Sequence, residues 1–197
     1  MQLIMNQEPI TRTNKNRSLL GALSALAIGA LAAATSVQGQ GCDLYPIALS
    51  AQTLANVVEG STIPDIFNGT QPGNFGWLSW AGSPDEPTLV QSLSVPGDSN
   101  TYVNPDDPND HVVSVGDWVT GKPGVSNSRG VRDALDELED YEITVPVWDN
   151  ARGQGSQAAY HVSGFARVRL IGYRLPNQNR ISAVFLGFVN CGGTPPT

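Results

Sequence analysis

Hydrophobic and polar residues alternate most regularly in one stretch of the chain, residues 111–173. Its first ten residues, 111–120, alternate with a period of two and carry apolar side chains on both faces, as in a strand buried on both sides near its centre. Residues 143–148 and 160–173 are also predicted to be strands, and residues 181–189 are apolar enough for a central closing strand. The core residues expected in the longest of these strands are Phe165, Val168 and Leu170.

One helix is predicted within this stretch, at about residues 128–140. Its apolar residues recur at the spacing i, i+3, i+4, i+7, which gives one apolar stripe, while acidic residues occupy the opposite face. The stripe consists of Val131, Ala134, Leu135 and Leu138. Either Ser126 or Ser128 is suited to cap the first turn.

The first half of the chain is less regular and richer in Gly and Pro. Residues 43–49 are predicted to form an entering strand, and residues 72–80 a tight turn that leads into a strand. Residues 50–59 and 88–95 each fit a helix or a strand, because short apolar runs do not distinguish the two. The predicted fold is mainly β: a single β-sandwich or mixed-sheet domain with one short amphipathic helix, preceded by an N-terminal signal segment.

The N-terminal region has the order of a secretory signal peptide, predicted at residues 1–40. Basic residues come first, an apolar run follows at 19–34, and the small residues Ala32-Ala33-Ala34 satisfy the cleavage rule. An uncleaved anchor is the alternative, although 16 helical residues span only about 24 Å of a roughly 30 Å hydrocarbon core. A lipid on Cys42 is a third interpretation, but the preceding residues lack the usual aliphatic side chain. Residues 41–191 are then one extracytoplasmic β-rich domain, and 192–197 a flexible tail.

Charge divides the chain unevenly. From Gly41 onward there are 17 acidic and 8 basic residues, and between Asp43 and Gly121 there are ten acidic residues and no Lys or Arg. Such an acidic protein has no clustered cations with which to bind phosphates, so nucleic acid is excluded as a partner. Contact with a membrane is expected only if the N-terminal segment is retained.

The chain has two cysteines, Cys42 and Cys191, near the two ends of the predicted domain. In an oxidising compartment such a pair is expected to form a disulfide, which would place the first and last strands side by side. Two buried free thiols are the alternative. Two cysteines without clustered histidines do not make a zinc site.

A loop rich in Asp and Asn suggests a calcium site. Hard oxygen ligands on a Pro-stiffened loop suit Ca²⁺, but the spacing is not that of an EF-hand. The same residues are also ordinary turn formers. The residues expected to bind calcium are Asp98, Asn100, Asp106, Asp107 and Asp110.

Aromatic side chains suggest a second kind of binding site. The four tryptophans are Trp77, Trp80, Trp118 and Trp148. On an exposed sheet face they would stack on sugar rings, whereas in the interior they would simply fill the core.

No catalytic constellation is evident. His111 and His161 are the histidines available as a general base, and Ser163 is not in a nucleophile elbow, because His161 stands where that motif requires Gly. Asn68-Gly69-Thr70 is either a glycosylation acceptor or a turn. We therefore predict that the protein is not an enzyme.

Several short motifs occur in an order that resembles a known family. They lie at residues 72–78, 115–119, 145–149 and 160–166. Together they resemble the extracytoplasmic domain of bacterial tight-adherence (Flp/Tad-type, TadE/TadG-like) pilus-assembly proteins over about residues 42–190. The resemblance implies an envelope or secreted protein with a structural or assembly role, and no catalytic residues.

The sequence thus predicts a non-enzymatic, exported envelope or secreted protein of pilus-assembly or surface-structure type. Its expected location is outside the cell, in the periplasm or on the cell surface, and its expected partners are envelope or surface proteins. No cofactor is expected, apart from the alternative of calcium. The alternative function is a small secreted carbohydrate- or calcium-binding module.

Overall fold

A computed structural model describes residues 42–70, 74–80, 84–124, 126–175 and 178–191. The predicted signal peptide at 1–40 and the predicted tail at 192–197 lie outside these residues. Seven strands lie within the described part: β1 (Ile47–Ser50), β2 (Thr62–Asn68), β3 (Asn74–Trp77), β4 (Trp118–Thr120), β5 (Glu142–Arg152), β6 (Ala159–Arg174) and β7 (Arg180–Val189). Three short helices are described with them: α1 (Ala51–Leu54), α2 (Glu86–Leu93) and α3 (Arg129–Leu138). A 3₁₀ turn, Gly155–Gln157, precedes β6.

The strands form one mixed sheet in the order β4-β6-β5-β1-β3-β2-β7, so the mainly β prediction is confirmed in its mixed-sheet form. Strand β7 pairs with β2 on one edge and with β6 on the other, and the sheet therefore closes on itself. Strand β6 makes this possible because it is 16 residues long. Its first residues pair with β4, and its later ones, from Phe165, pair with β7.

The apolar residues of the domain form two clusters, one on each face of the sheet. The inner cluster includes Leu49, Val145 and Val168, and the helices α2 and α3 complete it with their own apolar residues. The outer cluster includes Trp80, Tyr102 and Val162 and lies under the segment that connects α2 to β4. Alternation along β1 serves both clusters, since Ile47 and Leu49 face the inner one and Ala48 the outer one.

Helix α3 confirms the predicted stripe. Val131, Ala134, Leu135 and Leu138 are all buried, and the Ser128 side chain accepts a hydrogen bond from the Val131 backbone N–H at 3.2 Å. Helix α2 settles the open assignment of residues 88–95 and adds a second helix that packs against α3. The side chain of its N-cap residue, Asp85, accepts a hydrogen bond from the Thr88 backbone N–H. The Glu86 carboxylate accepts one from the Ser128 backbone N–H, which connects the N-termini of α2 and α3.

The prediction of a strand over residues 111–120 was wrong for most of its length. Only Trp118–Thr120 is strand. Residues 114–117 turn instead: the Asp117 carboxyl accepts from the Ser114 backbone N–H at 2.6 Å, and Gly116 has a φ of 101°. A short acidic side chain that bonds a nearby backbone N–H competes with the sheet ladder, and because of this competition the strand begins only at Trp118. Val112 and Val115 are consequently exposed.

The predicted disulfide joins Cys42 to Cys191 in the structure. The strands that it connects are not neighbours as expected, because β1 pairs with β3 and β5 while β7 pairs with β2 and β6. The bond instead spans the β5–β6 pair. Leu44, beside Cys42, bridges to Thr144 of β5, and Val189, near Cys191, pairs with Phe165 of β6.

Candidate functional site

A β-bulge brings an acid and a histidine together at the surface of the sheet. Trp148 pairs with Val162 and Asn150 pairs with His161, so Asp149 is the extra residue in β5. A bulge re-aims the side chain of the extra residue. The Nδ1 atom of His161 lies 2.6 Å from Oδ1 of Asp149, and both side chains are partly exposed.

Trp118 lies between His161 and a cation. It pairs with His161 across the β4–β6 ladder, and the two ring centroids are 5.3 Å apart. From the C-terminal end of β5, the guanidinium carbon of Arg152 sits 4.2 Å from the centroid of the Trp118 ring, in a cation–π contact. The indole is therefore held in one orientation at the surface.

Arg152 also connects the sheet to the acidic segment, residues 94–117, which links α2 to β4. Its Nη2 lies 2.5 Å from Oδ1 of Asp106, and both side chains are about half exposed. We call these five residues, Asp106, Trp118, Asp149, Arg152 and His161, the Trp118 cluster. They come from β4, β5, β6 and the segment before β4, and no two of them are adjacent in the sequence.

Hydrogen bonds from buried polar groups order the acidic segment and connect it to β4. The side-chain amide of Asn104 donates to Asp110 at 3.0 Å and to Asp117 at 3.2 Å, and Asn104 is itself 7% exposed. Burial raises the pKa of Asp117, an effect that the hydrogen bond from Ser114 partly offsets. The Tyr102 hydroxyl donates to the Trp118 backbone oxygen at 2.9 Å, which fixes β4.

The residues predicted to bind calcium do not converge. The Asp98 and Asp107 carboxyls accept from the backbone N–H groups of Asn100 and Asn109, as turn residues do, and Asp106 pairs with Arg152. The amide of Asn104 lies between the carboxyls of Asp110 and Asp117. Within the described ranges, no group of three or more His, Cys, Asp or Glu side chains is placed to hold a metal ion.

The four tryptophans do not form an exposed platform either. Trp77, Trp80 and Trp148 are buried, with at most 5% of each exposed, and belong to the two apolar clusters. Trp118 is partly exposed. The predicted sugar-stacking set is therefore reduced to this one ring.

The histidines and the serine considered for catalysis are also separated by their contacts. His111 Nδ1 donates to the Tyr102 backbone oxygen at 2.9 Å and so anchors the loop. Ser163 is the extra residue of a second bulge, and its hydroxyl donates to the Val147 backbone oxygen rather than to a histidine. The side-chain nitrogen of Asn68 is buried, which favours a turn over a glycosylated site.

Sequence reasoning missed Asp149, Arg152 and Asp117. The bulge that places Asp149 depends on how two strands pair, and periodicity within one strand does not reveal it. A signal did exist for Asp117, since an Asp next to Gly116 favours a turn.

In the part of the chain that the structure describes, no helix has the length and apolar character needed to cross a membrane. The disulfide is compatible with an extracytoplasmic or secreted protein. Comparison with protein-family models, with curated proteins and with solved structures found no match to the chain. The similarity to tight-adherence proteins therefore remains a prediction from the sequence motifs.

Proposed function

We propose that this chain is an exported, non-enzymatic protein that works by binding an envelope or surface protein through the Trp118 cluster. The observation that carries the proposal is the exposure of Trp118. Its indole is partly exposed and contacts both Arg152 and His161, whereas the other three tryptophans are buried. Trp and Arg are enriched among the residues that dominate binding energy at protein interfaces. A side chain already fixed in place also loses little entropy when a partner binds.

Charge indicates what kind of partner fits. Asp106 and Asp149 belong to the cluster, and Asp98, Asp107 and Asp110 lie in the adjoining segment, where no Lys or Arg occurs between Asp43 and Gly121. A partner with a basic surface around an apolar pocket for the indole would be complementary. Association should then slow as ionic strength rises, because surface charges are screened within about 8–10 Å at physiological salt.

The binding test compares two exposed aromatic side chains. Trp118→Ala removes the centre of the cluster, and Phe188→Ala, at a residue that is 63% exposed outside the cluster, is the matched control. Each protein carries a photo-crosslinker in place of Asp107, beside the cluster, and is expressed in the exporting host. We expect one envelope protein to be cross-linked by the wild type and the Phe188 variant, with at least a roughly 30-fold lower affinity for Trp118→Ala, as for a hot-spot residue. Equal capture by both variants would refute the proposal.

The compartment is tested separately by the intact mass of protein recovered from that host, before and after reduction. A mass that corresponds to a chain starting between Thr35 and Gly41, and that increases by two hydrogens on reduction, would support export and cleavage. A full-length chain in the membrane fraction would show that the N-terminal segment is retained as an anchor. Reduced cysteines in the cytosol would contradict export.

A further inference from the structure

Lys122 is buried along most of its length and has no compensating charge among the described residues. It directly follows the Leu78–Gly121 bridge, its backbone N–H donates to the Trp77 oxygen at 2.8 Å, and only 9% of the residue is exposed. Among the residues that the structure describes, none forms an ion pair or a hydrogen bond with its side chain. The ammonium at the end of this side chain reaches open space, where an anion can lie against it.

Lys122 lines a cavity of about 310 Å³. The cavity lies between the end of β2, the segment after β4 and the segments before and after β6. This volume is at the lower end of the range for small-molecule sites. Much of the lining is backbone at glycine positions, including Gly69, Gly121 and Gly155. The described lining contains no carboxylate, although the chain from Gly41 onward has twice as many acids as bases.

Other polar groups in the same lining also lack partners. The Asn68 side-chain nitrogen and the Asn179 side-chain oxygen are buried and, within the described residues, form no hydrogen bond. The backbone N–H of Asn68 donates to the Asn179 backbone oxygen at 2.9 Å, so these two lining residues lie side by side.

Tyr160 adds a further donor. Its ring is held between two glycines, because a Cβ at Gly76 would lie 2.3 Å from the ring and one at Gly121 would lie 2.8 Å from it. Burial raises the pKa of Tyr160 to about 12, so the hydroxyl stays protonated at neutral pH. No described residue accepts a hydrogen bond from it.

We propose that this cavity, which we call the Lys122 pocket, binds a carboxylate whose neighbouring atom carries an N–H or O–H group. The Lys122 ammonium, the Asn68 amide and the Tyr160 hydroxyl supply donors for the two carboxylate oxygens, and charge-assisted hydrogen bonds are the strongest of their kind. The Asn179 oxygen accepts from the neighbouring donor of the ligand. Both a free small acid and the C-terminal carboxylate of a peptide have this chemistry. The inference uses residues outside the Trp118 cluster and stands independently of the proposed partner.

Lysine-selective ¹³C labelling gives a direct readout, because the chain contains two lysines, Lys15 and Lys122, and only the second follows the predicted signal peptide. The full secreted protein is titrated with acetate, with N-acetylglycine as a mimic of a peptide C-terminus, and with the uncharged N-acetylglycinamide. We expect the Lys122 ε-carbon signal to shift with both acids and not with the amide. N-Acetylglycine should bind more tightly than acetate, which has no neighbouring N–H or O–H for the Asn179 oxygen, and equal binding of the two would overturn that part of the proposal. Glycolate, a free acid with a neighbouring O–H, distinguishes the two sources: tighter binding of glycolate than of N-acetylglycine indicates a free acid, and the reverse a peptide C-terminus.

Variants locate the binding within the molecule. Lys122→Met keeps the length of the side chain and removes its charge, and we expect at least tenfold weaker binding of N-acetylglycine, followed by ligand-detected NMR. Tyr160→Phe should weaken binding several-fold, and Arg129→Met, at an exposed cation outside the pocket, should leave it unchanged. If Lys122→Met does not fold, the Tyr160→Phe variant and the wild-type titration carry the test. No movement of the Lys122 signal with either acid at 100-fold excess over protein, or unaltered binding by both pocket variants, would overturn the proposal.

Discussion

Removing the disulfide should cost this domain a large part of its stability. The Cys42–Cys191 bond closes a loop with a sequence separation of 149 residues. In the chain-entropy model, closing a loop of that length restricts the unfolded chain by about 5 kcal/mol at 25 °C. A domain of ordinary size has a total free energy of unfolding of roughly 5–15 kcal/mol, so the loss would be a third of it or more.

The variant for this test is Cys42→Ala combined with Cys191→Ala, which leaves no thiol to mispair. Guanidinium unfolding is followed by tryptophan fluorescence, because Trp77, Trp80 and Trp148 are buried and become hydrated on unfolding. We expect a lower midpoint and also a steeper dependence on denaturant, since the uncrosslinked unfolded chain exposes more surface. Wild-type protein in reductant is the control and should behave like the variant. A loss below about 2 kcal/mol with an unchanged slope would refute the chain-entropy reasoning for this bond.

Three further predictions concern the core, alkaline pH and calcium. Leu135 in α3 is fully buried, so Leu135→Ala should lower the free energy of unfolding by about 2–5 kcal/mol. Asp133 lies on the exposed face of the same helix, and Asp133→Ala should change that free energy by less than about 0.5 kcal/mol. Similar losses for both variants in chemical denaturation would contradict the assigned faces. Because the pKa of Tyr160 is raised from 10.0 to about 12, the stability that its neutral form provides is fully present below pH 10 and is lost as the pH rises to 12. The Tyr160→Phe variant should therefore lose less stability than the wild type over that interval, and parallel curves would argue against a buried phenol. Millimolar calcium should leave the melting temperature unchanged, because the Asn104 amide already bonds both Asp110 and Asp117; a clear rise would restore the calcium interpretation.

The regular elements were predictable because their side chains repeat with one period over a sufficient length. The stripe of α3 and the strands β6 and β7 were located to within a few residues from that signal alone. Residues 111–117 also alternate, but Ser114 and Asp117 bond the backbone locally, and a period of two does not distinguish the two outcomes. Helix α2 was too short for its period to exclude a strand.

The candidate sites were less predictable because they depend on pairing between distant segments. Trp118 was singled out as an aromatic side chain, but its position between Arg152 and His161 follows from the β4–β6 register and from the course of β5. Lys122 lies between Gly121 and Pro123, and nothing in that local sequence indicates burial. Its burial arises because the chain after β4 runs against the end of β3, where it bonds the Trp77 oxygen.

Strand β7 is the last strand of the described sheet in chain order, and this has a consequence for the order of folding. It supplies the partner for both β2 and β6, and Cys191 follows it by two residues. A nascent chain that stops before Arg180 therefore leaves two strand edges unpaired and one cysteine without its mate, and such edges invite pairing with other chains. Such a chain needs protection from aggregation until β7 and Cys191 have been synthesised.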